Sequence, residues 1–597
     1  MPVKPLPLSV SYDKQRFVQY GSQDCANWYP VKCKTGKREV ALYPGMGRKH
    51  VRYLQTNRLI YDAQPRFIAD SIDFFYVIVG STVYQYYKFF TEYQLVNSDF
   101  TLVGGHLDFA FLTTAQVTAA SPTTPTEHPT YCMLTDGVNT YIIDERTPGS
   151  MVTVTDPNRP SQPLFVEAFA NRFVVSSRLS TEIRLTQVNL GSYPINVHAI
   201  FTVAGNAVFA QEDGIIRQMC VLNAQLYIFT DFTTGIWSNI PSIFSTSTFP
   251  WKKNTSMGWN YGIADANSLD CGFDMIVFLA QSRDGLPTFM MSTGQAPKPI
   301  STQAINVLIQ NSTNDTLSEF ITEDVHGFLY QYENTVFYRA SAGVYHGYKL
   351  LDKDANASSV EFEFDNNTWH RCIELNGERN RIQKHIYFDH RHLVIVQGEP
   401  AIYEMAGNIY YNEIRNTLEP NPQALTAFVA YPFRYEMVTP IIAQENYEEF
   451  KTDWVQIDFV WGFESFIHSG APFDNTIFII DEEPNGLGEP VYLVAEDGST
   501  FIILEGTNTP VISDQIYHEL FKPNIFLYFS DDGAETFYPA PADALEFSQL
   551  GVFRWRMRWY QLGCSRNRAY KLVCVSPSPI VPLGAIHNFE IVSGGAY

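Results

Sequence analysis

The chain has 597 residues, with 63 acidic residues against 41 Lys plus Arg and a formal net charge of -22. Hydrophobic residues make up 45%, aromatics 15% and charged residues only 17%. That length suits three or four average domains, or one large β-domain with a smaller one. The acidic balance excludes nonspecific wrapping on DNA, and no apolar run reaches the length of a helical membrane span.

The composition points to β-structure. Tyr, Phe, Val, Ile and Thr favour pleated, half-buried surfaces. Low charge combined with many aromatics suits a surface covered by partner subunits. The opening residues, MPVKPLPLSVSYDKQ, contain no signal-peptide core. None of the eight cysteines forms CxxC or a zinc spacing. The expectation is folding in a reducing cytoplasm with free thiols, including Cys564 and Cys574.

Residues 1–58 read as an N-terminal arm. From 59 to 404 one pattern recurs: a short apolar strand, a tight polar turn, a second apolar strand. It begins at Phe74, Tyr131, Phe169, Leu222, Phe273, His326 and His385. Most successive starts lie about fifty residues apart, the period of a four-stranded propeller blade. A lone four-stranded sheet leaves both faces wet, whereas radial stacking buries them against neighbours. Asp136-Gly137 and Asp284-Gly285 supply turn residues. Unrelated hairpins in β-sandwiches are the rival arrangement. In YFDHRHLVIV, His390 and His392 fall on one side of a strand. Two such histidines can ligate a metal, but no third ligand is evident and no metal is expected.

Near Glu404 the pattern changes. Residues 405–462 read as a transition followed by platform strands, with WVQIDFVWGFE alternating. Residues 463–519 form an acidic insertion whose Asp481, Glu482, Glu483 and Glu489 are candidate lumen or tip acids. Residues 520–597 resume the platform. SDDGAETF (530–537) resembles the Asp box of sialidase-type propellers, with Ala534 where the box has Gly; the box is a turn device, not a catalytic site. In FRWRMRWYQLGCSRNRAYKLVCVSPSP, Phe553, Trp555, Met557 and Trp559 alternate with Arg554, Arg556 and Arg558. This predicts a strand with an apolar inner face and a cationic outer one. With Arg566 and Arg568, the row forms a candidate subunit or platform interface, since a buried aromatic face cannot stack bases as single-strand binders require. There is no Walker A, GxGxxG, GxSxG or HExxH. No catalytic residue and no cofactor is expected. The fold class read from these features is all-β: a β-propeller with an additional β-rich platform domain carrying an inserted projection.

Four segments together resemble the packaged-DNA stabilization, or tail nozzle, proteins of short-tailed phages. NWYPVKCKTGKREVALYPGMGRK carries Asn27, Tyr29, Pro30, Pro44 and Gly45 in the order of the family's N-terminal signature. GIIRQMCVLNAQLYIFTDFTTGIW (214–237) and LDCGFDMIVFLAQSRDGLPTFMMSTGQAPKPIST (269–302) are similar to its central blades. The Arg-aromatic strand, then Leu-Gly, an Arg-containing turn and a Ser-Pro exit, is similar to its C-terminal sequence. The resemblance implies a propeller joined to a platform, a homo-hexameric ring, and no enzyme activity. It also implies a place in the virion tail after assembly in the host cytoplasm. The implied partners are the portal-adaptor ring, tail fibres or tailspikes, and double-stranded genomic DNA passing through the lumen. A receptor- or carbohydrate-binding propeller of a tail fibre, binding or hydrolysing its target, is the alternative. A cellular propeller scaffold is a third reading.

Overall fold

The computed structural model describes residues 3–14, 22–32, 40–54, 65–80, 82–88, 92–94, 107–113, 130–147, 149–190, 195–201, 208–209, 214–239, 251–283, 287–312, 325–343, 358–399, 401–415, 428–443, 448–461, 524–541, 545–546, 553–576 and 578–591. It divides into two compact units. One comprises Leu54–Asn367 and Asn380–Tyr403; the other comprises Met1–Tyr53, Thr368–Arg379 and Glu404–Tyr597. The expected propeller span thus includes one segment, Thr368–Arg379, that belongs with the other unit.

The first unit is a β-propeller with seven blades among the described residues. Blade 1 runs from Pro65–Asp70 through Phe74–Val79 and Thr82–Tyr87 to Glu92–Gln94. Blade 2 contains Asp108–Thr113, Thr130–Thr135, Thr140–Asp144 and Met151–Thr153. Blade 3 contains Pro163–Phe169, Arg172–Ser177, Glu182–Leu185 and Val208–Phe209. Blade 4 contains Ile216–Leu222, Gln225–Thr230, Thr234–Asn239 and Trp251–Lys253. Blade 5 is built on Asp270–Gly272, Met275–Gln281, Thr288–Ser292 and Lys298–Pro299. Blade 6 contains Val325–Tyr332, Thr335–Ala342 and Ser358–Glu363, and blade 7 is built on Ile382–Phe388, Arg391–Val396 and Ala401–Ala406. One α-helix, Gln303–Ser312, follows blade 5 among the described residues.

The first strands of successive blades lie side by side from blade 2 to blade 7, and the first strand of blade 7 lies against that of blade 1. The seven sheets therefore close into a ring around these innermost strands. Each apolar layer is shared by two neighbours. Phe67, Tyr76 and Ile78 of blade 1 pack with Cys132, Leu134 and Tyr141 of blade 2. Met133 and Ile142 pack with Val166, Phe173 and Val175 of blade 3. Between blades 7 and 1, the Phe388 ring meets Phe75 edge-on at 5.1 Å.

The hairpins have a common device. Blades 3 to 7 join their first and second strands through two residues that both have positive φ: Ala170-Asn171, Asn223-Ala224, Phe273-Asp274, Glu333-Asn334 and Asp389-His390. Two-residue turns of this kind match the right-handed twist of the flanking strands. His390 therefore sits in a turn, not on a strand beside His392. His392 instead meets His385 across the hairpin, with ring nitrogens 2.9 Å apart.

The second unit is a β-sandwich. One sheet has the spatial order Val3–Leu6, Ile580–Ile591, Phe450–Trp461, Phe553–Ser565. The other joins Tyr411–Arg415, Phe428–Val438, Asn567–Ser576 and Asn524–Ser530, with Ser22–Ala26 also paired to Phe428–Val438. Their inner faces share one core, with Val455, Ile457, Phe459, Met557 and Trp559 on one side and Tyr435, Met437, Ile525, Leu572 and Cys574 on the other.

Trp28 and Asn27 fix the N-terminal segment to this core. Trp28 is fully buried, stacks on Tyr435 at 5.1 Å and donates its Nε1–H to the Ile580 carbonyl at 2.9 Å. Asn27 adopts φ +58°, a left-handed conformation that Asn tolerates better than most residues. Its Nδ2 donates to the carbonyls of Ile373 and Arg434, both at 2.7 Å, and its Oδ1 accepts from Ile373 N–H at 3.0 Å. Its carbonyl accepts Gly45 N–H at 2.9 Å. Two positions on, Gly47 has no room for a side chain, because a Cβ there would lie 2.4 Å from the Ile409 carbonyl oxygen.

Candidate functional site

The Arg-aromatic strand Phe553–Ser565 is an edge of its sheet among the described residues. Met557 and Trp559 are buried and Arg554, Arg556 and Arg558 are exposed, as alternation predicts. Trp555 departs from the prediction. It is 48% exposed, although its position in the alternation is that of the buried pair. Tyr560 beyond it is also exposed. The edge therefore presents three arginines and two aromatic rings.

The neighbouring strand Phe450–Trp461 answers part of this row. Arg558 lies opposite Gln456, donates its Nε–H to Oε1 at 2.6 Å, and stacks its guanidinium over Trp454 at 4.8 Å. Arg556 lies opposite the buried Asp458, 3.7 Å from its carboxylate. That arginine is 67% exposed, so water screens the pair and its contribution is small. Among the described residues neither Arg554 nor Arg566 has a carboxylate partner.

Arg568 does not belong to this exposed row. Its side chain is buried, and it grips Asp531 through Nε at 2.7 Å and Nη2 at 2.8 Å. The Phe529 ring lies 5.0 Å beneath the guanidinium. Its strand, Asn567–Ser576, pairs with Asn524–Ser530, which puts the side chain over the turn that follows that strand. Lys571 likewise turns inward, 3.2 Å from Glu436. Arg434 meets the same carboxylate through Nε at 2.7 Å, and Arg371 is bidentate to Asp24 at 2.8 and 2.6 Å. Burial pushes Glu436 up, but Lys571, Arg434 and Arg371 together hold it below its usual range. The cation-rich C-terminal segment thus divides its charges between an exposed edge and buried clamps. Cys564 and Cys574 lie in different sheets: Cys564 opposite Lys451, Cys574 opposite Tyr435 and Ile525. Asp481, Glu482, Glu483 and Glu489 lie outside the described residues.

The Asp-box-like turn closes as its residue types predict. Asp532 accepts N–H groups of Glu535 and Thr536 at 3.0 Å, and Ser530 Oγ accepts Ala534 N–H at 2.9 Å. Ala534 stands at φ +69°, the left-handed region that favours glycine. Ala534→Gly is expected to raise the stability of this unit by about 0.5 kcal/mol. The midpoint of its urea unfolding checks this, and no increase counts against the strain at Ala534.

A second polar constellation, not foreseen from the sequence, lines the innermost strands of the propeller. An innermost strand is a sheet edge, so alternate N–H groups lack a ladder partner within the blade. Asp108, Glu167, Gln218 and Asp270 fill that need in blades 2 to 5. Each folds its side-chain oxygen back onto the N–H of the next residue, at 3.1, 2.9, 2.9 and 2.8 Å respectively. Asp108 also accepts Val166 N–H of blade 3 at 2.9 Å, and Asp270 accepts Leu329 N–H of blade 6 at 2.6 Å. These two carboxylates staple one blade to the next. Lys384 of blade 7 completes the set, with its ammonium 4.2 Å over the Phe67 ring of blade 1. A single acid three residues before a two-residue turn, as at Glu167 and Asp270, is the sequence signal that marks it.

Burial dominates the electrostatics of this set. It pushes Asp108 up to about 6 and Glu167 up to about 8, and lowers Lys384 against the pull of Asp108 and Asp270. A carboxyl raised in the folded state binds its proton there while the unfolded chain has already lost it. Stability therefore falls as pH rises from the unfolded value, about 4.3, through the folded one. Glu167→Gln keeps the oxygen that accepts Ala168 N–H and removes the titration. Its stabilising effect on the propeller is expected to grow by about 1 to 3 kcal/mol between pH 5 and pH 8. Denaturant titrations of both proteins at the two pH values measure this, and a pH-independent difference contradicts it.

No family model matches the chain, and no curated protein matches it. Solved structures similar to it include PorZ, a surface component of the type-IX secretion system of Porphyromonas gingivalis, at 9% identity and TM-score 0.32. That match covers 67% of this chain and 44% of PorZ, less than half of the latter's length. The WD40 domain of Pan2 from Neurospora crassa is similar at 9% identity and TM-score 0.32, over 63% of this chain and 97% of that domain. The N-terminal domain of Nup159 is similar at 10% identity and TM-score 0.31, over 63% and 97%. The propeller assignment rests on the blades, their register and their closure.

Proposed function

We propose that this chain is a structural protein of a short-tailed phage tail: a nozzle or hub subunit. It assembles as a ring, a hexamer in the family it resembles, and extends the portal-adaptor channel. The ring retains the packaged DNA and guides its ejection, and its outer surface is where tail fibres or tailspikes attach. The proposed role asks for no chemistry from the chain's own side chains.

The observation that carries the reading is how the resembling segments are used. The N-terminal signature around Asn27 and the C-terminal Arg-aromatic segment are more than 500 residues apart in sequence, yet they build one sandwich core through Trp28, Ile580 and Trp559. The two central segments supply blades 4 and 5 of the propeller. The exposed edge of Arg554, Trp555, Arg556, Arg558 and Tyr560 supports a subunit contact, because acidic neighbours are abundant in a chain of charge -22. The same charge suits a channel through which DNA slides, since few phosphates find cations and few counterions are released.

Size-exclusion chromatography with light scattering, run beside a polysaccharide-binding and cleavage assay, tests the proposal. A single multimer with no polysaccharide activity is expected. A monomer that binds or cleaves polysaccharide moves the chain to the tail-fibre alternative.

A further inference from the structure

Cys220 and Cys271 sit on the innermost strands of two neighbouring blades. Cys220 lies on Ile216–Leu222, the innermost strand of blade 4, and Cys271 on Asp270–Gly272, that of blade 5. These two strands lie side by side. The Cys271 thiol donates to the carbonyl of Val221, the residue after Cys220, at 3.1 Å. Both side chains belong to one apolar cluster shared by the two blades. Their exposure differs: Cys220 is buried and Cys271 half-buried.

We propose that Cys220 and Cys271 form a redox latch, in which two-electron oxidation by a peroxide converts the two thiols into one disulfide that ties blade 4 to blade 5. The more accessible thiol reacts first. The Cys271 thiol gives up its proton as its sulfur attacks the peroxide O–O bond; the sulfur becomes a sulfenic acid, and the departing hydroxide takes up that proton and leaves as water. The Cys220 sulfur then attacks the Cys271 sulfur, the S–OH bond breaks, and the departing hydroxide takes the Cys220 proton to give a second water. Two electrons pass from the two sulfurs to the peroxide, and two water molecules form. Burial holds the Cys220 thiol well above its usual range, so it remains a protonated reserve until its neighbour has been oxidised. The latch is open in a reducing cytoplasm and closes after exposure to oxidant. The bridge spans 51 positions of sequence (271 − 220), a long loop whose closure removes freedom from the unfolded chain.

The test uses the purified full-length chain carrying Cys564→Ser, which removes an exposed thiol able to join two copies. After treatment with hydrogen peroxide, non-reducing peptide mapping is expected to recover one crosslinked pair containing Cys220 and Cys271. The propeller Tm is expected to rise by roughly 3 to 8 °C and to return with dithiothreitol. Cys220→Ser is expected to abolish both changes and leave Cys271 open to dimedone, a sulfenic acid reagent. Should that variant fail to fold, Cys271→Ser supplies the same loss of crosslink and shift. Recovery of Cys271 as its dimedone adduct with Cys220 still free in the parent, or survival of both thiols through the treatment, overturns the latch.

Discussion

Asn27→Ala is expected to cost the sandwich unit about 3 to 5 kcal/mol. The side chain makes three hydrogen bonds, two to Ile373 and one to Arg434, that tie the N-terminal segment to two other parts of the unit. Alanine leaves one buried carbonyl, one half-buried carbonyl and one buried N–H without this partner, at about 1 to 3 kcal/mol for each buried group before relaxation. It also places a Cβ-bearing residue with no local side-chain hydrogen bond at φ +58°. Asn27→Gly separates the two causes. It relieves the backbone but not the lost bonds, so it is expected to remain destabilising and to recover about 1 kcal/mol relative to alanine. With two units in the chain, the transition to follow is the one reported by Trp28 and its neighbours, through tryptophan fluorescence or proteolysis between residues 22 and 54. A loss below about 1 kcal/mol for alanine contradicts the clamp.

Reversing Arg554, Arg556 and Arg558 together to glutamate is expected to abolish ring formation while leaving the monomer folded. A single exposed pair contributes only about 0 to 1 kcal/mol, so one substitution at this edge is expected to be nearly silent. Three reversals on one strand place several repulsive pairs in register against an acidic neighbour, and rotational symmetry repeats them in every subunit. Within the monomer the change removes the Arg558–Gln456 hydrogen bond and the weak Arg556–Asp458 pair, but it leaves Met557 and Trp559 in the core. Sedimentation velocity and circular dichroism on the same sample read the two outcomes. Intact rings that lose only a salt-sensitive affinity for DNA contradict the subunit contact and support a DNA-facing edge.

The propeller was legible because its signals are local. All seven hairpin starts, from Phe74 to His385, fall in different blades in chain order, since an apolar strand, a tight turn and a second strand lie within about fifteen residues. Alternation also placed Met557 and Trp559 inward. It failed at Trp555, which is exposed although Phe459, directly opposite on the neighbouring strand, is fully buried. Alternation does not reach Arg568. That residue lies after the turn, where the side chain points to Asp531, a partner 37 positions away that no spacing rule selects. The carboxylates of the propeller axis were hidden among 63 acids. What marks Asp108 is the Val166 N–H of the next blade, and that acquires meaning only once the ring has closed.

Negative-stain electron microscopy of the purified chain distinguishes a ring from isolated subunits. Ring-shaped particles of one rotational symmetry, with an open axial channel, are the predicted result. Isolated particles of single-chain size, persisting as concentration is raised, would contradict it.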